Sequence, residues 1–156
     1  VNGTCPVGCP LCVCASPETP IATPAGTRPI AALRVGDLVY SVDHGSVVVV
    51  PIEAVRQIQV NHHLVRQVFL ETGATLQISD RHPTADGRTF GDLGPGDNLD
   101  GIKIRDVIAA PYAHEFTYDI LPASDTGTYF AGGALIGSTM AKPPILAETV
   151  TAPMSE

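Results

Sequence analysis

Ala25-Gly26-Thr27-Arg28 leads into Leu33-Arg34-Val35-Gly36-Asp37-Leu38-Val39; sixty residues later, Asp86-Gly87-Arg88 leads into Leu93-Gly94-Pro95-Gly96-Asp97-Asn98-Leu99. Both passages read as a turn, a short apolar stretch and then an L-x-x-G-D-x-apolar unit. Glycine before aspartate suits a tight turn that needs positive φ, with a strand to follow. The surrounding text is of the same kind. Thr19 to Thr23, Leu38 to Val42, Ser46 to Val50, Val65 to Leu70 and Thr75 to Ser79 are short alternating runs bounded by Gly, Pro, Asn or Asp, which is the strand-and-turn pattern. Asp43-His44-Gly45 and Glu71-Thr72-Gly73 are expected hairpin loops. Ile52 to Gln59 is the one stretch with a weak helical stripe. The fold expected is all-β, with two similar β lobes packed together.

Composition agrees. Gly (15) and Pro (14) are abundant and aromatics only 5%, a mixture that suits many short strands joined by turns. With 44% apolar and 16% charged residues in 156, the chain is a folded globular domain with a proper core, and hardly two. The net charge is -7 with a pI near 5.0, and Lys and Arg are scattered. Nucleic acid is therefore excluded as a partner, because a phosphate-binding face needs clustered positive charge. No apolar run approaches a membrane span, and the N-terminus lacks the basic-then-apolar pattern of a signal peptide. Val1 is not a natural start, so the sequence reads as a piece of a longer chain, which leaves its compartment unread.

Three segments are expected: a Cys-rich irregular flank over 1–13, the folded domain over 14–139 and a tail over 140–156, whose Pro-, Ala- and Thr-rich part from Lys142 reads as flexible. All four cysteines, Cys5, Cys9, Cys12 and Cys14, fall within ten consecutive residues. A disulfide-stapled fold would spread them along the chain. Cys5, Cys9 and Cys12 form C-x3-C-x2-C, which formally matches a radical-SAM iron–sulfur signature, but that class needs a much longer barrel after the motif. Three readings stay open: a compact zinc site on Cys5, Cys9, Cys12 and Cys14, a disulfide from Cys14 to Cys9 or Cys12, and free thiols.

The segment Cys14-Ala15-Ser16-Pro17-Glu18-Thr19-Pro20-Ile21-Ala22-Thr23-Pro24-Ala25-Gly26, followed by L-x-V-G-D, resembles the opening block of inteins and hedgehog processing (Hint) domains. Leu76-Gln77-Ile78-Ser79-Asp80-Arg81-His82-Pro83 is similar to their second block, a strand ending in T-x-x-H, with Ser79 in place of Thr. Tyr118-Asp119-Ile120 and Thr128-Tyr129-Phe130-Ala131-Gly132-Gly133-Ala134-Leu135-Ile136 are similar to the third. The resemblance runs from Cys14 to about Thr139. It implies a horseshoe-like Hint fold with pseudo-two-fold lobes, and autocatalytic cleavage by an N–S acyl shift at the Val13–Cys14 bond.

That chemistry asks for these residue types. A thiol attacking the carbonyl on its own N-terminal side must build a tetrahedral oxyanion and deliver a proton to the leaving amine. A free thiol, with a pKa near 8.5, is only a few per cent thiolate at neutral pH. By resemblance, His82 protonates the Cys14 nitrogen, Ser79 hydrogen-bonds near the scissile group, and Asp119 orients the thiol or exchanges protons with it. Taken singly, the same residues read as a turn histidine, a strand-end hydroxyl, an exposed turn carboxylate and a small buried hydrophobe. Together they reverse those readings. His44, His62, His63 and His114 match no block and are read as surface residues.

Two departures shape the outcome. A splicing intein ends in His-Asn, whereas the equivalent end here is Ile136-Gly137-Ser138-Thr139, and Gly127 stands near the place of the upstream His. Neither Gly nor Ser can form the succinimide that cuts the C-terminal junction. The Asp that activates sterol in hedgehog proteins has no match either, with Gln57 or a neighbour in its region. The expectation is N-terminal self-cleavage with little splicing, by a monomer acting once on its own flank. Water or a thiol resolves the thioester, Thr139 or Ser138 is a candidate acceptor, and no cofactor is required. The rival reading is a catalytically decayed scaffold that binds metal or a partner through the Cys-rich flank.

Overall fold

A computed structural model describes residues 2–4, 14–61 and 63–141. Cys5, Cys9, Cys12, Val13, His62 and the tail from Lys142 lie outside the described residues, and with them the expectations placed there. The described strands are β1 (Asn2–Thr4), β2 (Pro20–Thr23), β3 (Gly26–Pro29), β4 (Leu38–Asp43), β5 (Ser46–Gln59), β6 (Leu64–Leu70), β7 (Thr75–Ile78), β8 (Asn98–Leu99), β9 (Ile102–Pro111), β10 (Phe116–Pro122), β11 (Tyr129–Ala131) and β12 (Ala134–Ile136). Among the described residues, helix is confined to two 3-10 turns, Ile30–Ala32 and Phe90–Asp92. The fold is all-β.

Three sheets form: β1-β5-β10 with β4 also on β5, β12-β11-β2-β3, and β7-β6-β9-β8. The expected loops are turns of the right chemistry. Asp43 pairs with Ser46 across His44 and Gly45, both at positive φ (50° and 81°), the two-residue hairpin geometry that matches strand twist. Gly73, at φ 98°, closes the three-residue Glu71–Gly73 loop by donating its N–H to Leu70 O at 2.9 Å. The weak helical stripe at Ile52 to Gln59 is overturned: these residues continue β5, which pairs with β4 in its first half and antiparallel with β10 from Ile52 to Gln59. The ladder of backbone hydrogen bonds to β10 outweighs a marginal local propensity. The flank is also not wholly irregular, since Asn2–Thr4 pairs parallel to Gln57–Gln59.

The internal repeat is a duplication of hydrogen bonds. Asp37 Oδ2 accepts from Arg34 N and Asp97 Oδ2 from Gly94 N, each at 2.9 Å. Gly36 N donates to Ile52 O and Gly96 N to Ile104 O, again at 2.9 Å, and both glycines have positive φ. The two 3-10 turns precede these units at matching places, with Leu33 N on Ile30 O and Leu93 N on Phe90 O. The correspondence extends backward. Thr19 N bonds Ser16 O and His82 N bonds Ser79 O, each at 3.1 Å, so Ser16–Thr19 and Ser79–His82 are the same turn in two lobes. Asp37→Ala and Asp97→Ala should therefore cost alike, about 1 kcal/mol for losing a charged cap on a backbone N–H. Urea midpoints check this; a several-fold disparity would count against equivalent turns.

One apolar core joins the lobes, with Ile21, Leu70, Ile78, Phe90, Ile120 and Tyr129 fully or almost fully buried. Ala15 pairs with Ile78 of β7 and Tyr118 of β10 at once, threading the segment that begins at Cys14 between two sheets.

Candidate active site

Cys14 is a free thiol with no exposed surface. Its backbone is held on both sides. Ala15 exchanges hydrogen bonds with Tyr118 in both directions at 2.8 Å, Ser16 N donates to Gln77 O at 3.1 Å, and Ser79 N donates to Cys14 O at 3.1 Å. Ser79 sits directly after β7, so its side chain meets the same peptide. Its Oγ accepts from Cys14 N at 3.2 Å and lies 3.0 Å from Cys14 O.

Asp119 is central in β10, paired with Arg56 of β5, and 1% exposed; it is no exposed turn carboxylate. Oδ1 accepts from Tyr129 Oη at 2.6 Å and from Ile120 N at 2.9 Å. Oδ2 accepts from Thr139 N at 2.7 Å, from the Thr139 hydroxyl in a short bond, and from Ser138 Oγ at 3.4 Å. Arg56 Nη1 donates to Thr139 Oγ1 at 3.0 Å. The segment Ser138-Thr139 that follows β12 is thereby brought to the carboxylate whose charge acts on the Cys14 thiol.

Burial, and next the Asp119 charge, push the Cys14 thiol well above the usual range. The Thr117 and Thr139 hydroxyls and the Arg56 charge oppose that rise. The Thr117 hydroxyl is otherwise without a hydrogen-bond partner. The resting sulfur is thus a protonated thiol, and attack requires that its proton leave as the bond forms. Burial and Asp119 likewise raise the Tyr129 phenol well above its ordinary value, which keeps it a donor to Asp119.

His82 has no exposed surface, and its ring stands edge-on to Phe90. Nε2 donates to Gly137 O at 2.8 Å, which fixes the hydrogen there and leaves Nδ1 buried without a partner among the described residues. An orphaned buried ring nitrogen is uncommon and marks a place where another group is to be met.

His63 corrects the reading of it as a surface residue. It is half-buried where the chain enters β6, its carbonyl accepts from Tyr112 N at 2.8 Å, and its Nε2 lies 2.7 Å from Ser79 Oγ. Burial lowers its pKa, with Asp80 opposing. A signal was available: continuing the Arg66↔Ile78 register by one step puts Val65 opposite Ser79, two residues from His63. His44 is exposed as expected, and His114 pairs at the surface with Glu18 at 3.1 Å. Where the β4–β5 hairpin meets the β10–β11 loop, Asp43, His44 and Asp125 bring ligand atoms within 4.8 Å of one another, an arrangement distinct from the cysteines considered for zinc.

The structure therefore brings Cys14, Ser79, Asp119, Ser138 and Thr139 together and buries His82 beside Gly137. Residues 13–82 match a family model described as Hint domain. No curated protein matches the chain in sequence. Among solved structures, the gp41-1 intein superposes with a TM-score of 0.62 at 22% identity, covering 80% of this chain and 98% of its own. A bacterial intein-like domain from Clostridium thermocellum gives 0.67 at 17% identity, with 80% and 96% covered. The Msm DnaB1 intein splicing domain, solved bound with zinc, gives 0.65 at 18% identity, with 79% and 98% covered.

Proposed function

We propose that the chain, whose residues 13–82 match a Hint domain model and whose fold is that of inteins, is a self-processing domain of the Hint/intein type that cleaves its own backbone once, by an N–S acyl shift at Val13–Cys14. The observation that carries this reading is the arrangement at Cys14: a buried free thiol whose own N–H and C=O are both held by Ser79, beside a carboxylate bonded to Thr139. In the step, Cys14 Sγ bonds to the Val13 carbonyl carbon and the C–N bond to Cys14 breaks. The thiol proton passes toward Asp119, for which the Thr139 hydroxyl, bonded to Oδ2, is the bridge. Since the negative Asp119 disfavours thiolate, it suits this site as a proton acceptor rather than as a stabiliser of the anion.

His82 supplies the other proton. Its Nε2–H is committed to Gly137 O, so Nδ1 donates to the Cys14 nitrogen only from a ring protonated at both nitrogens. No cofactor enters; nucleophile, donors and acceptors all belong to the chain. A disulfide or zinc ion on Cys14 would occupy the attacking sulfur, so this reading requires the thiol to be free when cleavage takes place.

The thioester is resolved by water or an external nucleophile. Thr139 Oγ1 is a candidate acceptor within the chain, yet an ester on Thr139 leads no further, because Ser138 precedes it where succinimide formation needs an amide side chain. A fusion with reporter proteins before Val1 and after Glu156 should release the N-terminal reporter as an acid, or as a thiol adduct when dithiothreitol is present, with little ligated product. Intact mass distinguishes these species. Abundant ligated reporter lacking residues 14–138 would overturn the cleavage-only outcome.

A further inference from the structure

Ser79 Oγ has three neighbours and one hydrogen. Cys14 N can only donate, so it takes one oxygen lone pair at 3.2 Å; Cys14 O can only accept, at 3.0 Å. The third neighbour, His63 Nε2 at 2.7 Å, can do either, depending on which ring nitrogen carries hydrogen. With Nε2 bare, the closer ring takes the hydroxyl hydrogen and Cys14 O loses it. With Nε2–H present, His63 donates to the second lone pair and the hydroxyl hydrogen is left for Cys14 O. In either setting Cys14 O keeps the bond from Ser79 N at 3.1 Å, but only the second lets the hydroxyl bond all three neighbours and clamp both polar backbone groups of the nucleophilic residue with one oxygen.

We propose that His63 is a positioning residue for the self-cleavage reaction: its Nε2–H sets the Ser79 hydroxyl, which fixes the Cys14 backbone and so aims the thiol at the preceding carbonyl. This rests on the function proposed above. Tyr112, whose ring meets that of His63 edge-on at 5.8 Å and whose N–H holds the His63 carbonyl, keeps the imidazole in place. A ring protonated at both nitrogens also carries Nε2–H, so the setting survives acidification.

The full chain is compared with His63→Gln, His63→Asn, Ser79→Ala and the double variants in saturating dithiothreitol, with cleavage followed by intact mass. Gln places an amide N–H where Nε2–H stood, whereas Asn is too short to do so. His63→Gln should retain a rate within about threefold of the parent, and His63→Asn should lose about tenfold, the scale of one hydrogen bond. In the Ser79→Ala background the two should be equal, since His63 acts only through that hydroxyl. Equal rates for Gln and Asn with Ser79 present, or an Asn penalty that persists without it, would overturn the proposal. If the parent itself does not cleave, the proposed function fails instead. The ring 15N shifts of His63 in the Cys14→Ala chain then still decide the inference: Nε2–H is expected, and Nδ1–H with bare Nε2 would refute it.

Discussion

Cys14→Ala is expected to abolish thiol-induced cleavage, leaving the chain at full length, while Cys5→Ala is shortened like the parent. The effect should be the largest of any substitution because no neighbour can stand in for the sulfur. The hydroxyls nearest the site, Thr117 and Thr139, are far weaker acids than a thiol, and Thr139 is bonded to both Asp119 and Arg56. The substitution is also conservative in volume at a fully buried position, so the domain should stay folded and the loss should report chemistry. Cleavage persisting in the Cys14→Ala chain would remove the nucleophile, and with it the mechanism.

His82→Ala is expected to slow cleavage by about 10²-fold or more, the usual scale for losing a positioned general acid. His114→Ala, at the surface on Glu18, should cost little, as should His62→Ala. The buried, unpartnered Nδ1 and the committed Nε2 distinguish His82 from the other described histidines. Some of the loss will be structural, because the ring packs edge-on against Phe90 and its removal leaves Gly137 O without a donor. Unfolding midpoints measured alongside separate that part from the chemical one. Equal rate losses for His82→Ala, His62→Ala and His114→Ala would remove the special role of the Ser79–His82 turn.

The all-β class and the hairpin loops were legible because their signals are local: alternation, and glycines placed where positive φ is needed. The duplicated L-x-x-G-D unit was legible for the same reason, and the structure extends it back to the pair Ser16–Thr19 and Ser79–His82. Lobe one carries Thr19 where lobe two carries His82, a difference hidden in the sequence because the intervening turns differ in length. What failed was decided at a distance. Ile52 to Gln59 looked weakly helical because its strand identity comes from β10, some sixty residues away in sequence. His63 looked like surface because its one decisive contact is across the β6–β7 hairpin. Asp119 was singled out through a motif, but its burial and its hold on Ser138 and Thr139 depend on how β12 returns to β10.

The central claim is a thioester between Val13 and the Cys14 sulfur, and hydroxylamine tests it most directly, since it captures a thioester and leaves ordinary peptide bonds intact. The freshly folded chain is incubated with hydroxylamine near neutral pH and its intact mass is followed over time. Two species should grow together: residues 1–13 ending in a hydroxamate at Val13, and residues 14–156 with a free amine at Cys14. A chain that keeps its full mass, or one cut elsewhere than at Val13–Cys14, the Asn2–Gly3 bond that hydroxylamine itself attacks set aside, would contradict the account.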